Sequence, residues 1–381
     1  MSDDHLNEDI ALFLIDGPVC DDIKLPISTL REQVVIARSY SEYSSVNPNF
    51  HADFVQTVAA RAAFELQNAS DWLNAHSNAD GLYIRPSFVD GKTHGARVDE
   101  KYVINASSRD CIIYVRLGGI PLLLGIANRL QTMRDEGGYG AFLDGVFRPG
   151  IDHIQWDPET EPIGSLTLNL GDPAGELEET YEIVINALLL IFFHEAAHAC
   201  AAHAYIAYKL QKSSLYSQYA KALEAEADWG SGLMFMKYRS RSGRVLDEPR
   251  LCRDFIFGTQ CNYLALQVAL GRKNGESVNY HFPYARTACT LMGARQAWEA
   301  SSNFVGDFNR LIADASHSLF SVDALFPRSI KGWLSTEDER AVQDRNTLGN
   351  VTLGLWLLLR ASHHYKRARP LDEFLFLRNS S

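Results

Sequence analysis

The 381-residue chain sets 36 Lys and Arg against 47 Asp and Glu, a formal charge of −11, with 46% hydrophobic and 22% charged residues. This is ordinary globular composition, long enough for a large core and two sub-domains. The acidic balance and the lack of a basic stripe argue against nucleic acid as a main partner.

The opening stretch MSDDHLNEDIALFLIDGP reads as no secretory signal, being acidic where a signal is basic and apolar only over IALFLI. The runs ALLLIFF (187–193) and LWLLL (355–359) fall short of the roughly 20 residues that cross a bilayer, so no transmembrane segment is expected. Six cysteines (Cys20, Cys111, Cys200, Cys252, Cys261 and Cys289) form no CxxC pair and read as reduced thiols of a cytoplasmic protein.

Apolar spacing predicts a helix over 52–76. Residues 81–107 read as two strands around a loop marked by Asp90-Gly91 and Gly95, and CIIYVRL as a further strand before an apolar helix. A turn-rich stretch places a soft boundary near residue 155. Residues 1–155 then form a mixed α/β region, read as a substrate-recognition or regulatory part; 156–300 form the core, and 301–381 a helical region packed on it.

IGSLTLNL (163–170) alternates as a strand. A long helix follows, with Asp172 as cap, Pro173 in its first turn and Glu176, Glu178 and Glu179 at the positive end of its dipole. Its pattern runs on to Lys209 and Lys212. A second helix begins at Ser213 or Ser214 and ends at RSRSGR; further helices are predicted over 250–270, 284–300, 303–315 and 348–366. The fold class is therefore α+β, mostly helical, with a strand ahead of the central helix.

That helix carries HEAAH, residues 194–198. Residues four apart on an α-helix lie about 40° from each other, so His194 and His198 can aim ring nitrogens at one ion. Glu195 points to a neighbouring direction, within reach of a water on that ion but poorly placed as a ligand. Zinc favours such nitrogen and oxygen donors, and a catalytic site leaves one position for water. The plainer alternative is two helix histidines bonded to neighbours, which leaves unexplained three polar residues in an apolar stripe.

A third ligand comes from LEAEADWG, residues 223–230. Glu224 and Asp228 share a face, whereas Glu226 lies about 200° round the helix from Glu224. Glu224 has the longer reach and is assigned to the metal. Asp228 is placed to accept a hydrogen bond from the far nitrogen of a ligand histidine, fixing its tautomer. His203, about 180° from His194 on a continuous helix, reads as non-ligating. Cys200 beside the motif reads as a packing residue.

HEAAH followed by EAEAD resembles the gluzincin metallopeptidases, above all the HtpX and CAAX-prenyl-protease type and the ImmA-type bacterial peptidases. The resemblance implies a zincin-like core, Zn²⁺ as cofactor, Glu224 as third ligand and Asp228 as support of a histidine. YHFPYARTACTL (280–291) is similar to the HPxxxR-like stretch of the HtpX type, with Phe282 inserted between His281 and Pro283. The likeness runs from residue 163 to about residue 290, and the membrane spans of the HtpX type are missing. By analogy, such soluble relatives have narrow proteolytic roles in bacterial regulation or phage conflict.

The expected activity is a zinc-dependent endopeptidase acting on a protein or peptide substrate, with Glu195 as general base. His281, Tyr284 and Arg286 are the candidates for stabilising the oxyanion. Two other readings stand beside it: a zinc-dependent hydrolase of a non-peptide amide, and a non-catalytic zinc-bearing protein that binds a partner.

Overall fold

The computed structural model describes residues 24–25, 48–76, 82–89, 96–100, 109–116, 119–120, 123–124, 126–127, 174–241, 247–269, 281, 283–316, 354–355 and 357. In chain order its elements are β1 (Lys24–Leu25), α1 (Pro48–His76), β2 (Leu82–Val89), β3 (Ala96–Glu100), β4 (Arg109–Arg116), α2 (Ala174–Cys200), α3 (His203–Leu210), α4 (Tyr216–Ser240), α5 (Glu248–Ala269), α6 (Pro283–Glu299) and α7 (Phe308–Ser316). The described residues are mostly helical, with one small sheet. The expected strand at 163–170, the capping pair Asp172 and Pro173, the boundary near 155 and most of the helix at 348–366 lie outside them.

The sheet order is β1-β2-β4-β3. β2 and β4 run parallel, with Ile84 opposite Cys111, while β3 runs antiparallel to β4, with Val98 opposite Ile113. The two strands expected around the Asp90-Gly91 loop are thus present but unpaired with each other, because β4 lies between them. Alternation along β2 buries Leu82 and Ile84 and exposes Tyr83, so one face meets the helices.

α1 buries Val58, Ala62, Leu66, Ala69 and Leu73, a stripe at helical spacing, and exposes Phe64. It is tied to β2 by polar contacts: Asn74 Nδ2 donates to the Ile84 carbonyl at 2.9 Å, and Asn74 Oδ1 accepts from the Ile84 amide at 2.9 Å. α2 is the hub, packed against α1, β2, β3, β4, α4 and α5. Its segment Glu179–Cys200 is long and apolar enough to span a bilayer, but other elements of the fold surround it. Read from the sequence, the apolar run here was only ALLLIFF. The apolar segment is longer because Tyr181, Ile183, Val184 and Ile185 before this run, and Ala196, Ala197 and Ala199 after His194, continue the buried surface. One core joins α1, the sheet, α2, α4, α5, α6 and α7.

The single long helix expected to reach Lys212 is two helices. α2 ends at Cys200, and Ala202 takes the left-handed backbone conformation (φ 52°, ψ 43°), which turns the chain into α3. The amide of Ala202 bonds back to the carbonyl of Ala199 at 3.2 Å, tightening the last turn before the reversal. α4 begins at Tyr216 rather than Ser213 or Ser214, because the Ser213 hydroxyl accepts from the Leu215 amide and closes a separate turn. α7 begins at Phe308 rather than 303: Asp307 accepts from the amides of Asn309 and Arg310 and so caps it.

α4 and α6 approach closely at reciprocal glycines. A Cβ on Gly232 would fall on the Thr290 carbonyl, and one on Gly293 on the Trp229 carbonyl. This crossing presses the start of α6 against the acidic segment of α4.

Candidate metal centre

The last turns of α2 carry His194 and His198, whose rings meet edge to face with centroids 4.7 Å apart. Their Nε2 atoms lie 3.1 Å from each other. α4 crosses here and delivers Glu224, whose Oε2 is 3.3 Å from His194 Nε2 and whose Oε1 is 3.6 Å from His198 Nε2. One donor atom from each of the three residues falls within 4.8 Å of the others, close enough to hold a metal ion. Among the described residues no other such group of histidine, cysteine and carboxylate side chains occurs.

The donor set suits a divalent cation. Two nitrogens each about 2.0–2.1 Å from a tetrahedral zinc stand about 3.3 Å apart, close to the separation found. Among the described residues no group donates a hydrogen bond to the buried Glu224 Oε2, as for a carboxylate oxygen kept for a cation. Burial alone would raise the pKa of Glu224, but the imidazoles of His198 and His194 hold it well below the usual carboxylate range.

The far side of His194 faces Asp228, with Nδ1 2.9 Å from Oδ1. Asp228 is itself held from three directions. Arg286 donates through Nε to Oδ2 and through Nη2 to Oδ1, both at 2.8 Å, and the Tyr263 hydroxyl donates to Oδ1 at 2.9 Å. Burial would raise the pKa of Asp228, yet the charges of Arg286 and His194 keep it lowered. On His194 burial disfavours the proton, but Asp228 and Glu224 outweigh it, and in the absence of metal its pKa rises from 6.5 to about 10.

The other sequence candidates are placed as follows. Glu195 stays half-buried between the fully buried Phe193 and Ala196. His281 is buried just ahead of α6. Tyr284 lies in the first turn of α6, and its side chain is outside the described residues. Arg286, considered from sequence as an oxyanion donor, has both arms of its guanidinium on Asp228, with Nη2 3.9 Å from Glu224 Oε2. Cys200 is buried at the end of α2, outside the group of three.

Sequence reasoning missed two residues. His203 Nδ1 is 2.8 Å from His198 Nδ1, and His203 Nε2 is 3.2 Å from Glu226 Oε2. Burial pushes the pKa of His203 below its ordinary value, outweighing the carboxylate of Glu226. Helical angles counted through 194–203 put His203 on the wrong side because they assumed no break at Ala202. Glu226 was set aside for facing away from Glu224, yet that other face is where α3 brings His203. The middle acidic residue of EAEAD, Glu226, was the available signal.

Comparison with protein-family models, with curated proteins and with solved structures finds no match to this chain.

Proposed function

We propose that the chain is a zinc-dependent endopeptidase of gluzincin type, built on a zincin-like core. The observation that carries the reading is the convergence of His194 Nε2, His198 Nε2 and the Glu224 carboxylate on one point, with Glu195 adjoining His194 on the same helix. The helix bearing HEAAH packs on a mixed sheet, and a second helix supplies the glutamate, which supports the zincin-like reading.

In this reading His194, His198 and Glu224 hold the ion, which supplies Lewis-acid polarisation of a water and of the scissile carbonyl. Glu195 accepts the proton from the attacking water and returns it to the departing amine nitrogen. Asp228, fixed by Arg286 and Tyr263, stabilises positive charge on His194 and favours its Nδ1–H form, leaving Nε2 toward the site. His281, Tyr284 and Arg286 remain the candidates for the oxyanion, with Nε and Nη2 of Arg286 already on Asp228. β3 is an edge strand: one side pairs with β4, and no described strand pairs with the other.

The test is Glu195→Gln. The variant should keep one zinc per chain and lose hydrolysis, and a proteome-wide comparison of new N-termini between wild type and variant should show cleavage sites only with wild type. Equal cleavage by the two proteins would remove the assigned base. Zinc retained with no cleavage by either would favour the non-catalytic reading.

A further inference from the structure

We propose that His203 and Glu226 form a positioning pair for His198, selecting the imidazole tautomer that turns a bare Nε2 toward the metal. The proposal rests on the zinc reading above and deepens it. Both residues are only 3% exposed, and they come from different helices, α3 and α4.

The bookkeeping of hydrogens follows from the contacts. A carboxylate only accepts, so the His203 nitrogen that meets Glu226 Oε2 at 3.2 Å carries the hydrogen. A neutral imidazole has one N–H, so Nδ1 of His203 presents a lone pair. His198 Nδ1, 2.8 Å away, must then donate to it. With its hydrogen on Nδ1, His198 has a lone pair on Nε2, the nitrogen that lies 3.1 Å from His194 Nε2 and 3.6 Å from Glu224 Oε1. The opposite tautomer would put a hydrogen where the ion belongs. The rings of His198 and His203 meet edge to face at 4.8 Å, which fixes orientation as well as tautomer.

The backbone explains how His203 arrives there. On an unbroken helix it would sit about 140° round from His198. Ala202, a buried alanine with φ 52°, turns the chain so that the ring folds back beneath His198. A left-handed conformation at a non-glycine residue is strained and persists where its surroundings enforce it.

The experiment compares His203→Asn with His203→Gln in the full chain. Asn places its amide near the position of Nδ1, within reach of His198; Gln places it near Nε2, reaching Glu226 but not His198. Zinc affinity is read by competition with a chelator, and the His198 tautomer by ¹⁵N NMR of the metal-free protein. Wild type should hold His198 with its hydrogen on Nδ1. The Gln variant should lose about 10- to 100-fold in zinc affinity and show a changed tautomer, whereas Asn should stay within about fivefold. Equal affinities in the two variants, or a wild-type His198 protonated on Nε2 alone, would overturn the pair while leaving the zinc reading intact. Wild type that takes up no zinc would overturn both.

Discussion

Arg286 grips Asp228 with a two-pronged fork across 58 residues of sequence, and neither group is open to solvent. The pair places a permanent positive charge behind the carboxylate that touches His194. Replacing Arg286 by Met leaves that carboxylate buried without its partner. We expect a loss of about 3–5 kcal/mol in urea unfolding. Arg286→Met combined with Asp228→Asn should recover part of this. Arg286→Lys should also lose stability, because an ammonium cannot reproduce the two parallel bonds.

The pKa of about 10 on metal-free His194 gives a signed pH dependence. A raised imidazole pKa adds stability that is fully present below about pH 6.5 and fades as the pH climbs towards 10. The lowered carboxyls of Glu224 and Asp228 act at the other end, stabilising above their ordinary range and losing that effect on acidification. NMR titration of the metal-free protein should find His194 still protonated at pH 8, and Asp228→Asn should bring its pKa down. On the zinc reading, the ion must displace this proton. Calorimetry at pH 7 in buffers of different ionisation heat should therefore show about one proton released from His194 per ion bound.

Removing a ligand should remove the ion. We expect His198→Ala or Glu224→Gln to lower zinc affinity by more than about 100-fold, beyond the effect of losing an outer partner. Metal analysis of the purified variants checks this. Retained one-to-one zinc in either would count against the three-residue ligand set.

Gly232→Ala or Gly293→Ala should each force α4 and α6 apart, since the new methyl would land on a backbone carbonyl of the facing helix. We expect about 3 kcal/mol of destabilisation, at the upper end for overpacking, read as a fall in melting temperature. Because α6 carries Arg286, the separated helices should also loosen the grip on Asp228 and weaken zinc binding.

Much of this was legible in local pattern. HEAAH and EAEAD announce a face by their spacing of four, and α1, α5 and α6 fall within a few residues of the spans their apolar periodicity predicts. What escaped was non-local or unmarked. No Gly or Pro signals the break at Ala202; alanine is the best helix former, and only packing holds it in the left-handed region. His203 and Glu226 stay outside the group of three, as their helical angles imply, but the contact of His203 with His198 escaped because of that break. The insertion of β4 between β2 and β3 is decided by tertiary pairing, which strand propensity does not encode. Arg286 was considered as an oxyanion donor on the stretch 280–291, but the carboxylate it grips sits on another helix.

The helix at the centre of the core is also the helix that presents both imidazoles. If the site takes up zinc as proposed, folding and ion capture are coupled equilibria rather than separate properties. Zinc at a hundred times its Kd would add about 2.7 kcal/mol to the native state. On that reading a chelator would act as a mild denaturant, lowering the cooperative melting of the whole molecule instead of merely emptying one site.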